Sequence, residues 1–249
     1  MSESNSIIEN SIPQFKDNFK LAYKYYQNNG FHIEKDIFSK VDCKKLILES
    51  TKFKSYLDNS YIPELQPHNH NNFILSLMKK NNLTSIIKKI ISKNKEVYGL
   101  QSSFFYGVPG TTGSAQHQDG LWVKPEESNA FISAWIPLID INNHNIGNLY
   151  VYKKSHKAGT LDIVEKKIVN SKYQNEGLIK YESRLNTKYK KIVITANRGS
   201  IILLHSNVVH GSFDNLSKKN RYALLLTYIR EGCKFRSGNE AKRTRVSLS

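Results

Sequence analysis

From about Gly99 onward the sequence breaks into short β-branched and aromatic runs, SFFYGV, AFISAWIPLI, GNLYVYK, KKIVITA, SIILLHS and RYALLLTYI, punctuated by Gly, Asn, Pro and Asp. Such runs read as strands. Several in succession, with no helical pattern between them, argue against the strand–helix alternation of a parallel α/β sheet and predict an antiparallel sandwich or jelly roll. The one long interruption, about 156–190, is charged. In a jelly roll it is an insertion near the mouth, where loops carry function.

Before Gly99 the pattern is helical. PQFKDNFKLAYKYYQNNG carries Phe15, Phe19, Leu21 or Ala22, and Tyr25 or Tyr26 at spacings near three and four, and Gly30 supplies a stop. GFHIEKDIF then alternates like a short strand, SKVDCKKLILESTKF returns to a helical pattern, and a third helical region runs from about Asn72 to Asn94. These segments read as scaffold. With 249 residues and no Pro-, Gly- or Ser-rich linker, we expect a single domain 1–249: a helical part over about 1–98, a jelly-roll core over about 99–230, and a basic tail, 231–249, that is partly disordered.

Charge bears on partners rather than fold. Lys plus Arg outnumber Asp plus Glu 37 to 21, a net +16 that favours anionic small molecules, nucleic acid or an acidic membrane surface. The lysines are spread along the chain, which suits a solvated surface better than a nucleic-acid groove. The start, MSESNSIIENSIPQF, lacks the order of a secretion signal, and no apolar run reaches the roughly 20 residues of a membrane span. A soluble cytoplasmic protein is the expectation. Cys43 and Cys233 form no CxxC or disulfide framework and read as ordinary thiols.

Chemistry concentrates in SAQHQDGLWV. If His117 and Asp119 lie on a strand, they share a face while Gln118 points away. The pair then fits either a hydrogen-bonded couple or two thirds of the 2-His-1-carboxylate set of non-haem Fe(II) oxygenases, for which one of the other histidines would complete the triad. A second concentration is GSIILLHSNVVHGSFDNLSKKNRYALLLTYI. Here Arg221 follows His210 by eleven residues across a turn, so the two can lie on adjacent strands facing one cavity. An Arg inside a sandwich needs an anionic partner, and a dicarboxylate co-substrate would provide one.

Together with GFHIEKDIFSKVDCKKL and AWIPLIDINNHNIGNLYVYKKSHKAG, these stretches resemble the phytanoyl-CoA dioxygenase-like branch of the Fe(II)- and 2-oxoglutarate-dependent oxygenases over most of the chain and in the family's order. The resemblance implies an all-β core with flanking helices, an α+β arrangement built on a double-stranded β-helix of jelly-roll, cupin-like type with an N-terminal helical scaffold. It implies iron held by His117, Asp119 and His210, and 2-oxoglutarate held through its distal carboxylate by Arg221. It further implies assistance to Arg221 from Ser212, Trp135 near the co-substrate, and a structural Asn215. His205 is the rival third ligand, but the match places it in the preceding strand with a packing role. His156 reads as loop architecture, and His68, His70 and His144 read as surface residues.

The function so implied is O2-dependent hydroxylation of an unactivated C–H bond in a soluble small molecule, an anionic one on the evidence of charge, with release of succinate and CO2. Retention of Asp119 favours hydroxylation, desaturation or ring closure over halogenation. The competing readings are a catalytically silent binding protein of the same fold and an oxygenase acting on nucleic acid. Two departures stand out: NIGNLYVYKKSHKAG lacks the Pro-Gly that the family usually carries before its Ser-His, and RGS replaces a common xGD.

Overall fold

The computed structural model describes residues 6–8, 11–142, 145–166, 172–186 and 188–249. The expectation for His144 therefore lies outside the described residues, as do residues 167–171 and 187 of the charged interruption.

The chain enters through β1 (Ser6–Ile8) and the helix α1 (Phe19–Asn29). Asn18 caps α1 by accepting from Leu21 N, and Gly30 ends it at φ 80°, a left-handed conformation that favours glycine. Of the alternatives on α1, Ala22 and Tyr26 face inward, while Leu21 is exposed. β2 (Phe31–Glu34) follows, then α2 (Lys40–Ser50), whose first turn is closed by a reciprocal Ser39–Asp42 capping box. α3 (Lys54–Leu57), β3 (Glu64–Leu65), α4 (Asn72–Met78) and α5 (Asn81–Ile91) complete the first part. The predicted third helix is thus two, separated at Lys79 and Lys80.

The sheets come from β4 (Val97–Phe105), a short helix α6 (Asp119–Val123), β5 (Phe131–Pro137) and β6 (Leu149–Tyr152). They continue with β7 (Ile163–Glu165), α7 (Glu176–Lys180), β8 (Tyr181–Ser183), β9 (Lys191–Thr195), β10 (Ile201–His205), β11 (His210–Ser212) and β12 (Ala223–Arg230). A six-stranded sheet runs β2-β10-β5-β12-β4-β3 and a four-stranded sheet runs β1-β9-β6-β11, with β7 and β8 paired apart. The pairs are antiparallel except β1 with β9. This is the expected mostly antiparallel jelly roll flanked by helices.

The larger sheet explains why its strands read as nearly continuous apolar runs: both faces are covered. One face carries Ile132, Ala134, Ile136, Leu203, Leu224, Leu226 and Tyr228 into a core shared with α2, α4 and α5. Alternate residues, Gln101, Ser103 and Phe105 on β4, Phe131 and Trp135 on β5, and Leu225 and Thr227 on β12, line an internal cavity instead. Between the sheets, Phe31, Ile33, Val151, Ile194 and Ile202 form a second apolar cluster that continues into the cavity wall through Trp135, Leu149 and Leu204. β2 is buried at all four positions, so GFHIEKDIF is an edge strand of the main sheet rather than scaffold.

The basic tail corrects its expectation. It folds back on the molecule, with Val246 and Gly99 exchanging backbone hydrogen bonds of 2.9 Å and Arg243 only 9% exposed. Cys43 and Cys233 are free and buried. Among the described residues no helix is long and apolar enough to cross a membrane.

Candidate metal centre

His117 and His210 are joined by two backbone hydrogen bonds, His117 N to His210 O at 2.8 Å and the reverse at 3.0 Å. This bridge sets the imidazoles against each other, ring centroids 4.4 Å apart. Asp119 is not on a strand; it opens α6. The pair converges nonetheless, because Gln118 is extended at φ −111° and ψ 130°. Gln118 points away as expected, and its amide donates to Gly159 O and Asn207 O at 2.8 and 2.7 Å.

The donor atoms face one point. Nδ1 of His117 lies 2.7 Å from Ala115 O and Nδ1 of His210 lies 3.1 Å from Val208 O. A carbonyl accepts only, so each Nδ1 carries a proton, and in the neutral ring it is Nε2 that offers the lone pair. Both Nε2 atoms lie 3.6 Å from Asp119 Oδ1. Two imidazole lone pairs and a carboxylate oxygen facing one another repel unless a proton or cation lies between them. Among the described residues these three form the one His/Cys/Asp/Glu group placed to share a metal ion.

Electrostatics agree with the geometry. The three side chains are 6%, 9% and 4% exposed for His117, Asp119 and His210. Burial favours a neutral Asp119, but positive charge gained by His210 and His117, together with the Ser133 hydroxyl, outweighs it and holds the carboxyl well below the usual carboxylate range. Burial pushes His210 down to about 4, so its imidazole is neutral at pH 7. Ser133 was not singled out in the sequence; its hydroxyl donates to Asp119 Oδ2 at 2.5 Å. The available signal was a polar residue in the apolar run AFISAWIPLI, two positions before Trp135.

Arg221 enters the same cavity from the loop before β12. It is 5% exposed, its Nε has no hydrogen-bond partner among the described residues, and burial pushes the guanidinium down to about 10, so it remains charged. Gly107 makes room for it. With φ +49°, Gly107 accepts from Arg221 N at 2.9 Å, and a Cβ there would lie 2.4 Å from Arg221 O and 2.8 Å from Nε. The guanidinium carbon lies 5.8 Å from the Trp135 ring centroid, which places that Trp beside it. His210 and Arg221 are not on adjacent strands: β11 belongs to the four-stranded sheet and β12 to the six-stranded one, so they face the cavity from opposite walls. Ser212 also lines the cavity, but its hydroxyl accepts from Ser114 N at 2.9 Å rather than meeting Arg221.

The remaining candidates resolve as structure. Asn215 donates to Gly107 O and Lys219 O at 2.6 and 2.8 Å, closing the turn. His205 binds Asn129 Oδ1 at 2.7 Å and accepts from Asn207 N at 3.0 Å, outside the cavity. His156 contacts Gln27 O at 3.0 Å. His70 is exposed, but His68 corrects the expectation of a surface residue: it is 4% exposed, with Nδ1 2.7 Å from Ser102 Oγ. A short 3-10 turn over Pro67–Asn69 tucks it under β4.

The cavity has a volume of about 410 Å³. Ligand pockets span roughly 300–1,000 Å³. Besides the sheets, its walls include Gln174, Asn175 and Leu178 of the charged interruption.

The family model for phytanoyl-CoA dioxygenase (PhyH) matches residues 28–223. A phytanoyl-CoA dioxygenase of Arabidopsis thaliana is 28% identical over 151 residues, 59% of this chain and 50% of that protein. Phytanoyl-CoA dioxygenase 1 of Oryza sativa subsp. japonica is 25% identical over 236 residues, 92% of this chain and 75% of the relative. The chain thus spans half the length of the first relative and three quarters of the second. Among solved structures, the non-heme alpha ketoglutarate dependent carbocyclase SnoK from nogalamycin biosynthesis superposes with a TM-score of 0.72 at 15% identity, covering 92% of this chain and 90% of that one. At that identity the likeness carries the fold.

Proposed function

The chain belongs to the phytanoyl-CoA dioxygenase family, and from that premise we propose that it is a non-haem Fe(II)- and 2-oxoglutarate-dependent oxygenase that hydroxylates an unactivated C–H bond of a small molecule. The observation that carries the proposal is the pairing, in one cavity, of a His-Asp-His donor set with a buried arginine that has no acidic partner among the described residues. A buried guanidinium is costly unless an anion neutralises it, and a carboxylate matches its fork. Metal site and carboxylate site together describe a chelating keto-diacid.

The donor set fits Fe(II): two neutral imidazole nitrogens and one carboxylate form the facial triad of such oxygenases. His117, Asp119 and His210 would hold the ion. When bound there, Fe(II) supplies, with O2 and 2-oxoglutarate, the oxidising chemistry that hydroxylates the substrate and releases succinate and CO2. The chain's own residues do the rest. Ser133 fixes the Asp119 carboxylate, and the two backbone carbonyls fix the imidazole tautomers. Arg221 takes the distal carboxylate, which orients the co-substrate, and Trp135 stacks beside it. Phe105, Phe131, Leu204 and Leu225 keep the cavity wall apolar and restrict water.

Calorimetric titration of 2-oxoglutarate into Ni(II)-loaded protein, which binds without turning over, tests this reading. One site per chain is expected in the wild type, with affinity lowered at least about 100-fold in Arg221→Gln. Undiminished binding in that variant would refute the assigned role of Arg221, and no binding to metal-loaded wild type would refute the function.

A further inference from the structure

We propose that the C-terminal tail builds a second anion subsite in this cavity, where Arg243, with Arg236 at the rim, receives the carboxylate or phosphate head of the primary substrate; this rests on the oxygenase reading above. The tail lies beyond residue 223, where the family match ends. It is built into the site rather than draped over it. Arg236 donates its backbone N–H to Val123 O at 2.7 Å and its Nε to Trp122 O at 3.0 Å, gripping α6, the helix that begins with Asp119.

Arg243 is held with equal definition. Its Nε donates to Gln101 Oε1 at 2.5 Å, and Gln101 is oriented by donating in turn to Ser103 Oγ at 2.8 Å. Nη1 donates to the carbonyls of Trp122, Arg236 and Ser237 at 3.4, 3.3 and 3.2 Å. Among the described residues Nη2 has no acceptor and Arg243 has no carboxylate within salt-bridge distance. Neutral carbonyls orient a guanidinium but leave its charge unbalanced, which is the condition of a site waiting for an anion. Burial and the neighbouring Arg236 push the group down to about 10, so it is charged at pH 7.

Register separates this subsite from the co-substrate's. Gln101, which holds Arg243, pairs with Thr227, whereas Phe105 pairs with Ala223, two residues past Arg221. Four residues of strand span about 13 Å. By this register the two arginines approach one cavity from opposite ends, with Ser103 and Leu225 on the wall between them. Among the described residues of that lining, Arg221, Arg236 and Arg243 are opposed by Asp119, a proposed metal ligand, and by the exposed Glu240. The substrate class that fits is a small molecule with an oxyanion head and an apolar body.

The test uses the full chain loaded with Ni(II) and saturating 2-oxoglutarate, so that Arg221 is occupied, and titrates hexanoate, hexyl phosphate and hexanamide. In wild type, one of the two anions is expected to bind at least about tenfold tighter than the uncharged amide. Whichever it is identifies the head group. In Arg243→Gln the preference falls to within about twofold, Arg243→Lys retains part of it, and 2-oxoglutarate affinity is unchanged. If Arg243→Gln loosens the tail, the acid-against-amide comparison on wild type still decides. Equal or absent binding of all three probes overturns the subsite, as does a folded Arg243→Gln that keeps the anion preference. Failure of wild type to bind 2-oxoglutarate at all would instead sink the oxygenase reading.

Discussion

Replacing Arg221 with Met should make the protein more stable and unable to hold its co-substrate. The guanidinium is 5% exposed, with no acidic partner among the described residues, and burial alone takes it from 12.5 to about 10. That depression corresponds to about 3 kcal/mol of desolvation carried by the folded state at pH 7. Methionine fills similar space without charge. The loss of the guanidinium's contact with Trp135 offsets about 1 kcal/mol of the gain. The net is a stabilisation of about 1–2 kcal/mol, or a Tm rise of about 3–6 °C for a chain of this size. Thermal unfolding without metal or 2-oxoglutarate measures it. The same scan with Ni(II) and 2-oxoglutarate at about 100 times Kd should lift the wild type by about 2.7 kcal/mol and leave the variant where metal alone puts it. A variant that melts lower than wild type in the empty state would show that the guanidinium contributes net stability, and the inference from its missing partner would fail.

Ser133→Ala removes the hydroxyl on Asp119 Oδ2, and we expect metal affinity, read by chelator competition, to fall about 10–100-fold with little change in fold. Gly107→Ala places a methyl 2.4 Å from Arg221 O at φ +49°, so it should lower stability by about 2 kcal/mol or more and weaken 2-oxoglutarate binding, although residue 107 lies outside the metal triad. His205 gives a pH dependence. Burial first, and His156 second, push it from 6.5 to about 4. Its Nδ1 already accepts from Asn207 N, so a second proton has no acceptor there. A depressed histidine leaves stability intact above the unfolded pKa and removes it as pH falls toward the folded one. Between pH 7 and pH 5 the loss attributable to this residue is about 2 kcal/mol, visible as the difference between wild type and His205→Gln in urea unfolding.

The strands of the β core were legible because each is a β-branched run long enough to show itself. β11 was not: His210, Gly211 and Ser212 carry no strand signal, and they pair only because β6 offers an edge. The same limit applies within the site. His117 and Asp119 announced themselves by spacing, although the local structure that unites them is an extended Gln118 leading into a helix. Arg221 was legible as a charge beside an apolar strand, but the wall it faces from was not, since sheet membership is set by pairing partners far away in the chain. Ser133 reads as a strand residue until Asp119 is placed against it. Arg243 was hidden in a run that looked like a solvated tail, because composition reports charge and says nothing of Gln101, to which that charge is tied across 142 positions.

The most direct test of the central claim is anaerobic addition of Fe(II) and then 2-oxoglutarate to the protein, recording the visible spectrum. The account predicts a metal-to-ligand charge-transfer band in wild type that is absent in His117→Ala and requires far more 2-oxoglutarate in Arg221→Gln. Folded, iron-loaded wild-type protein that gives no band at saturating 2-oxoglutarate would contradict it.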